Sequence, residues 1–150
     1  MDFCSEPPTV ESMVQELTLA EAKTILDAME EKAEELGVPL NLAVTNSEGN
    51  LLGFRRMDGA KLVASNIAQN KAYTAAAVKK PTHELKEGAE PGGDVYGLHT
   101  TDNGRVVVFG GGFPVEHDGV VVGAVGASGG AVSEDMEASQ AGLDAFEPLR

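Results

Sequence analysis

The hydrophobic and polar positions of the first 60 residues predict a helix followed by a β-hairpin. Thr18-Leu19-Ala20-Glu21 has the composition of a capping box, and apolar side chains then recur every three or four residues until Gly37. Residues 40–45 alternate between apolar and polar side chains. After the turn Ser47-Glu48-Gly49-Asn50, the run Leu51–Met57 is typical of the second strand of a hairpin.

A second helix is predicted over Ala60–Lys80. Its apolar face consists mostly of alanines, so we expect it to lie unusually close to the surface that it covers. Pro81 ends this helix, and one further turn is predicted through Leu85.

Three strands and a final helix follow in the second half of the chain. We predict strands at Arg105–Phe109, Phe113–His117 and Val120–Ala127, and a helix capped by Ser133. Asp118-Gly119 between two alternating segments indicates a type I′ turn. The order of elements predicts an α+β fold in which helices flank a five-stranded, mainly antiparallel sheet in three layers (α/β/α).

The chain length of 150 residues suits one domain. Residues 1–17 carry acids and prolines, and we expect a disordered N-terminal tail before a domain over 18–150. A single cysteine, Cys4, excludes an intramolecular disulfide. No basic segment followed by an apolar run and no long apolar span is found, so we expect a cytoplasmic protein without a membrane anchor.

The charge balance narrows the classes of partner. Asp and Glu number 24 against 11 Lys and Arg, for a formal net charge of −13. Such a surface repels phosphates, so we expect neither nucleic acid nor membrane partners. The acidic excess and the scarcity of large aromatics favour a halophilic protein, and an ordinary acidic protein is the alternative.

Glycines are dense between residues 97 and 130, where either another backbone or a ligand approaches closely. The loop Gly126-Ala127-Ser128-Gly129-Gly130 joins a buried strand to a helix start, and its amides suit a carboxylate or another anion. The alternative is that these glycines only permit a tight turn and close helix packing.

Two side chains are candidates for chemistry beside these glycines. His99 lies near Tyr96 in a long predicted loop over residues 88–104. It is the best candidate for an axial ligand or an acid/base group, and the alternative is an ordinary loop histidine. Lys71 lies on the alanine-rich helical face. It either pairs with an acid such as Asp58 or extends its ammonium group to solvent.

Several segments together resemble one protein family. The stretch from Leu17 to Ala60, the segment NIAQNKAYTAAAVKKPTHEL, the motifs PGGDVYGLH and FGGGFPV, and GVVVGAVGASGG are similar to the GlcG/HbpS family. The domain of that family is described as haem-degrading and also occurs as the C-terminal domain of PduO-type proteins. The similarity extends over about residues 18 to 147.

The resemblance implies a profilin-like domain that forms homo-oligomers, with haem as a cofactor or ligand in some members. The family motifs and the residue analysis together give the candidate ligand-binding residues Asp58, Lys71, Tyr96, Gly97, His99, Gly126, Ser128 and Gly129. His99 is the candidate axial ligand of a haem iron.

Three functions are compatible with these patterns. The first is a small-molecule binding module for haem or an organic acid. The second is an enzyme acting on haem or a small organic acid, with His99, Tyr96 or Lys71 as acid/base groups. The third is a structural accessory subunit of a catabolic enzyme.

Overall fold

The computed structural model describes residues 16–148, so most of the predicted tail over 1–17, including Cys4, lies outside the described residues. Within 16–148 the chain forms four strands and four α-helices. In chain order these are α1 (Leu19–Leu36), β1 (Asn41–Asn46), β2 (Leu51–Arg56), α2 (Val63–Val78), α3 (Lys86–Ala89), β3 (Gly112–His117), β4 (Val120–Ser128) and α4 (Val132–Ala145). Short 3₁₀ turns occur at Thr82–Leu85, Leu98–Thr100 and Asp102–Gly104.

The sheet is antiparallel throughout, with the strand order β2-β1-β4-β3. Helices α1 and α4 pack together on one face, where the main hydrophobic core lies, and α2 covers the other face. The predicted α+β class is therefore confirmed, with helices on both faces of an antiparallel sheet. The profilin-like description stays a prediction.

The predicted capping box of the first helix and the predicted type I′ turn are both confirmed. Thr18 and Glu21 form the reciprocal capping box of α1, and Gly37 ends that helix in the left-handed region. Asp118 and Gly119 both have positive φ, at 51° and 78°, as a type I′ turn requires.

The predicted fifth strand, Arg105–Phe109, is wrong: the described chain has four strands. The hydroxyl of Thr74 on α2 donates to the carbonyl of Arg105 at 3.2 Å and accepts from the amide of Val107 at 3.0 Å. The segment is therefore held by a helix side chain rather than by a neighbouring strand. The valines predicted a strand because a segment that packs against a helix can have the same composition as a strand.

Two smaller boundaries also differ. Leu17 is buried in the core and its amide donates to the carbonyl of Val122 at 3.0 Å, so the folded unit includes residue 17. Helix α4 begins at Val132, and Glu134 accepts a hydrogen bond from the amide of Ala131 at 2.8 Å. The predicted capping role of Ser133 is wrong, because Ser133 already lies in the first turn.

Helix α2 lies close to the sheet, as its alanines predicted. Ala68, Ala72 and Ala75 have no exposed surface. A Cβ placed on Gly126 of β4 would be 2.6 Å from the amide nitrogen of Ala72 and closer still to the carbonyl oxygen of Ala68. The helix backbone therefore occupies the space that a side chain at 126 would need.

None of the helices within residues 16–148 combines the length and the apolar character that a membrane span needs.

We expect Gly126→Ala to lower the free energy of unfolding by about 1–3 kcal/mol or more, because the new methyl group meets helix backbone that cannot move aside. Urea unfolding measures this change. Gly88→Ala is the matched control: its Cβ would meet only Cγ2 of Val95, a half-exposed side chain, at 3.1 Å. We expect the control to stay within about 0.5 kcal/mol of the wild type, and equal stability of the two variants would contradict the close packing of α2.

Candidate ligand-binding site

A buried ion pair connects α2 to α4. Lys71 has no exposed surface, and its Nζ donates to Oδ2 of Asp135 at 2.9 Å and to the carbonyl oxygen of Ala127 at 2.9 Å. The same Nζ lies 5.0 Å from the centroid of the Phe109 ring. The predicted alternative of a buried lysine paired with an acid is confirmed, with Asp135 rather than Asp58 as the partner. The alternative of an ammonium group extended to solvent is wrong.

The Asp135 carboxylate joins this pair to the glycine loop. Its Oδ1 accepts a hydrogen bond from the amide of Gly130 at 3.0 Å, while Oδ2 faces Lys71. Burial raises the pKa of Asp135, and the Lys71 ammonium opposes that rise. Burial likewise lowers the pKa of Lys71, and the Asp135 carboxylate opposes the fall.

The glycines beside this pair are filled by protein. A Cβ on Gly111 would lie 2.6 Å from Nζ of Lys71, and one on Gly110 would lie 2.6 Å from the sulfur of Met136. The carbonyl of Gly111 accepts from the amide of Ala127 at 3.0 Å and from the hydroxyl of Ser139 at 2.7 Å. Of the two explanations for the glycine density, a close approach of protein atoms is the one the structure supports here.

At the predicted anion site over residues 126–130, protein atoms lie beside the glycines. Helix α2 fills the position beside Gly126, and a Cβ on Gly129 would lie 3.2 Å from the carbonyl oxygen of Pro39. The Gly130 amide is already bonded to Asp135. Ser128 ends β4, is buried, and pairs in register with Asn41.

An open apolar cleft of about 500 Å³ lies elsewhere, between α2 and the long loop that follows α3. Its apolar walls come from Ile67 on α2 and from the segment that was predicted to be a strand. The residues of the cleft are Ile67, Asn70, Ala89, Glu90, Pro91, Tyr96, His99, Gly104 and Val106–Phe109.

Tyr96 and His99 both line this cleft, as the sequence suggested for one site. Their ring centroids are 6.4 Å apart in an edge-on arrangement, and both side chains are exposed. Gly97, between them, has φ 96° and begins the turn Leu98–Thr100. Phe109 links this cleft to the buried pair, because its ring lines the cleft and also lies over Lys71.

The other predicted site residues lie apart from the cleft. Asp58 lines a separate polar depression with Glu30, Glu34, Arg56 and Met57. Gly126, Ser128 and Gly129 are not among the residues that form the cleft walls. The sequence therefore combined three places that the fold separates: the cleft, the buried pair and the Asp58 depression.

Asp135 and the valines of the cleft wall were not among the site residues predicted from the sequence. Asp135 carried a signal, since it lies in the first turn of a helix beside a glycine loop, but that position is equally typical of a dipole-stabilising acid. Val106 and Val108 gave no signal of their own. Within the described residues, no group of three His, Cys, Asp or Glu side chains is arranged to hold a metal ion.

Removing either partner of the buried pair should make the stability depend on pH, and the trend should be opposite for Lys71→Met and Asp135→Asn. In Lys71→Met the pKa of Asp135 rises further above its ordinary value of 3.8. The folded state then binds the extra proton, so stability falls as pH rises through that range. We expect the free energy of unfolding to be about 3–5 kcal/mol below that of the wild type at neutral pH. The difference should be smaller near the ordinary pKa of Asp.

In Asp135→Asn the pKa of Lys71 falls further below 10.5. The unfolded state then binds more protons, so stability rises with pH and the deficit shrinks towards the ordinary pKa of Lys. Urea unfolding at a series of pH values measures both trends. Lys32→Met, which removes an exposed pair with Glu35, is the control with little expected effect. Deficits that do not change with pH in either variant would contradict this account of the pair.

Comparison with known proteins places the chain in a family. The family model described as "Haem degrading protein HbpS-like" matches residues 17–144. A 15.0 kDa protein encoded in the dhaT–dhaS intergenic region of Citrobacter freundii is 44% identical over 133 residues, which is 89% of this chain and 94% of the relative.

Two crystal structures are similar over most of their length. Protein ORFY of Klebsiella pneumoniae has a TM-score of 0.88 and 38% identity, covering 99% of this chain and 100% of its own. A PduOC–haem complex has a TM-score of 0.85 and 37% identity, covering 88% of this chain and 96% of the other. The resemblance found in the sequence motifs is thereby confirmed, and the chain belongs to the HbpS-like family.

Proposed function

We propose that this protein binds haem in the cleft between α2 and the loop after α3, as a binding or accessory module. The observation that carries the proposal is the cleft itself. It has an apolar wall of Ile67 and Val106–Phe109, with an imidazole and a phenol ring at its border. A relative of 37% identity and the same fold is known as a complex with haem, which supports the choice of ligand.

The residues of the cleft fit the chemistry of a haem group. A flat apolar ring system needs an apolar wall, which the valines and Phe109 provide. An iron axial ligand needs a nitrogen, sulfur or oxygen donor, and His99 is the histidine among the cleft residues. Bound haem supplies an iron centre capable of ligand exchange and redox chemistry. In this proposal His99 would hold the iron, and Tyr96 would pack against the ring system.

The remaining predicted residues have indirect roles in this proposal. Lys71 lies under Phe109 and holds one wall of the cleft through its bond to Asp135. Gly126 allows α2, which carries Ile67 and Asn70, to approach the sheet. Gly129 lies against Pro39 and Leu40, and Ser128 pairs with Asn41 in the sheet, so these two residues support the fold away from the cleft. Gly97 permits the turn that presents Tyr96 and His99 together.

A second candidate is an enzyme that acts on haem. The description of the matching family as haem-degrading favours it. In that case Tyr96 and His99 supply the acid/base groups, because both line the cleft. A role as an accessory subunit of a catabolic enzyme, and binding of a small organic acid in place of haem, stay as further alternatives. We also propose that the protein is cytoplasmic and adapted to high salt.

We also propose that the protein forms a homo-oligomer through the start of α2. Leu62 and Val63 are 74% and 71% exposed, next to the cleft residue Ile67 one turn further along the helix. Adjacent apolar side chains at this exposure are typical of surfaces that another protein covers.

The haem proposal is tested by titrating the purified protein with haemin and following the Soret band. We expect saturable binding with a shifted Soret band. His99→Ala should bind about 10-fold more weakly or more, equivalent to about 1.4 kcal/mol, and its spectrum should change. His83→Ala is the matched control, since His83 is exposed and contacts Phe113 instead of the cleft. Without a Soret shift in the wild type, haem is the wrong ligand; an unchanged His99→Ala spectrum removes His99 as the iron ligand.

The oligomer proposal is tested by light scattering coupled to gel filtration. The double variant Leu62→Ser/Val63→Ser should shift the molar mass towards that of a monomer, because it removes apolar area from the contact. Leu51→Ser, on the exposed edge strand β2, is the control. A wild type that already elutes as a monomer would refute the proposal.

A further inference from the structure

A cluster of three side chains lies where α2 passes the last turn of the long loop. The Arg105 guanidinium carbon lies 3.5 Å from the centroid of the Tyr73 ring. The Tyr73 hydroxyl in turn donates a short hydrogen bond to the Asp102 carboxylate. This bond raises the pKa of the Tyr73 hydroxyl, with smaller contributions from burial and from the Asp102 charge.

The backbone of this turn adopts an uncommon conformation. Asp102 and Asn103 have φ values of 52° and 56°, in the left-handed region that residues other than glycine seldom occupy. Two such residues in succession persist only where surrounding contacts impose them. Here the Tyr73 hydroxyl holds Asp102, and the backbone of Arg105 is held by Thr74.

This turn holds Arg105 next to residues of the cleft, although Arg105 is not itself one of the lining residues. Its chain neighbours Gly104 and Val106 both line the cleft, and Tyr73 lies one helical turn beyond Asn70, another lining residue. Within residues 16–148 the guanidinium forms no ion pair with a carboxylate and donates no hydrogen bond, so its contact is with the ring face. Stacking on a ring uses the face of a guanidinium and leaves the N–H donors in its plane available.

The charges around the cleft make an available hydrogen-bond donor important for binding an anionic ligand. The chain carries a net charge of −13, which repels an anionic ligand. Glu90 is an acid that lines the cleft, and Lys86 lies 3.9 Å from its carboxylate. Asp102 is an acid close to Arg105, and its carboxylate is already bonded to Tyr73. A guanidinium with free donors is therefore suited to a carboxylate carried by the ligand.

We propose that Arg105, held in place by Tyr73, is the carboxylate anchor of the cleft. The cleft then selects a ligand with a flat apolar body and a carboxylate at its edge, a class to which haem with its propionates belongs. This inference rests on the proposed function and adds the residue that recognises the acidic end of the ligand.

The test compares haemin with its dimethyl ester, which has the same ring and iron and no free carboxylate. We expect the wild type to bind haemin about 10- to 100-fold more tightly than the ester, the range of a charge-assisted hydrogen bond. Arg105→Gln should lose that preference through weaker haemin binding alone. Arg105→Lys should keep part of it, because the charge remains while the paired donors are lost.

Two further variants separate anchoring from general effects. Tyr73→Leu removes both the ring under the guanidinium and the hydroxyl that holds Asp102, and it should reduce the preference for haemin over the ester. Lys23→Gln makes the same change of charge on α1, across the sheet from α2, and should leave both affinities unaltered. Thermal unfolding of each variant shows whether it is folded, and Arg105 is exposed, so Arg105→Gln should fold normally.

The outcomes distinguish the two proposals. If the wild type binds neither haemin nor the ester, the haem function fails and the anchor fails with it. If it binds both with equal affinity, or if Arg105→Gln keeps the preference, haem binding stands and the anchor is overturned.

Discussion

The close approach of α2 to the sheet determines both how Lys71 is buried and where the cleft lies. Alanines on the helix and Gly126 on the strand bring two backbones together without intervening side chains. The one long side chain on that helix face, Lys71, then has no path to solvent and must be neutralised where it lies. Asp135, the carbonyl of Ala127 and the Phe109 ring provide that neutralisation, and they thereby attach α4 and the segment before β3 to α2.

The same packing decides where the structure has open space. Because protein atoms fill the space beside Gly111 and Gly126, the glycine loop has no room for a guest molecule. The open space lies one layer outward, along the solvent-facing side of α2, where Ile67 and Asn70 meet the segment 104–109. Phe109 belongs to both regions, so the internal ion pair and the outer cleft share one wall. Similarity to a haem complex of the same fold agrees with a ligand site in this domain, and the cleft is its proposed position.

Elements with local signals could be predicted from the sequence, and those that depend on distant partners could not. The capping box of Thr18 and Glu21 and the Asp118-Gly119 turn are determined by a few neighbouring residues, and both were predicted. The segment 105–109 has the composition of a strand, but its backbone bonds to Thr74 on a distant helix rather than to a neighbouring strand. The Lys71–Asp135 pair joins residues 64 positions apart, which no periodicity reveals. Tyr96 and His99 were grouped correctly because one short turn holds both.

A crystal structure of the protein with haemin would show which space the ligand occupies and whether the buried ion pair persists. We expect haemin against Ile67, Val106 and Phe109, with Lys71 still bonded to Asp135 and α2 still in contact with Gly126. Haemin density against Gly126–Gly130, with Lys71 withdrawn from Asp135 towards the ligand, would contradict this expectation.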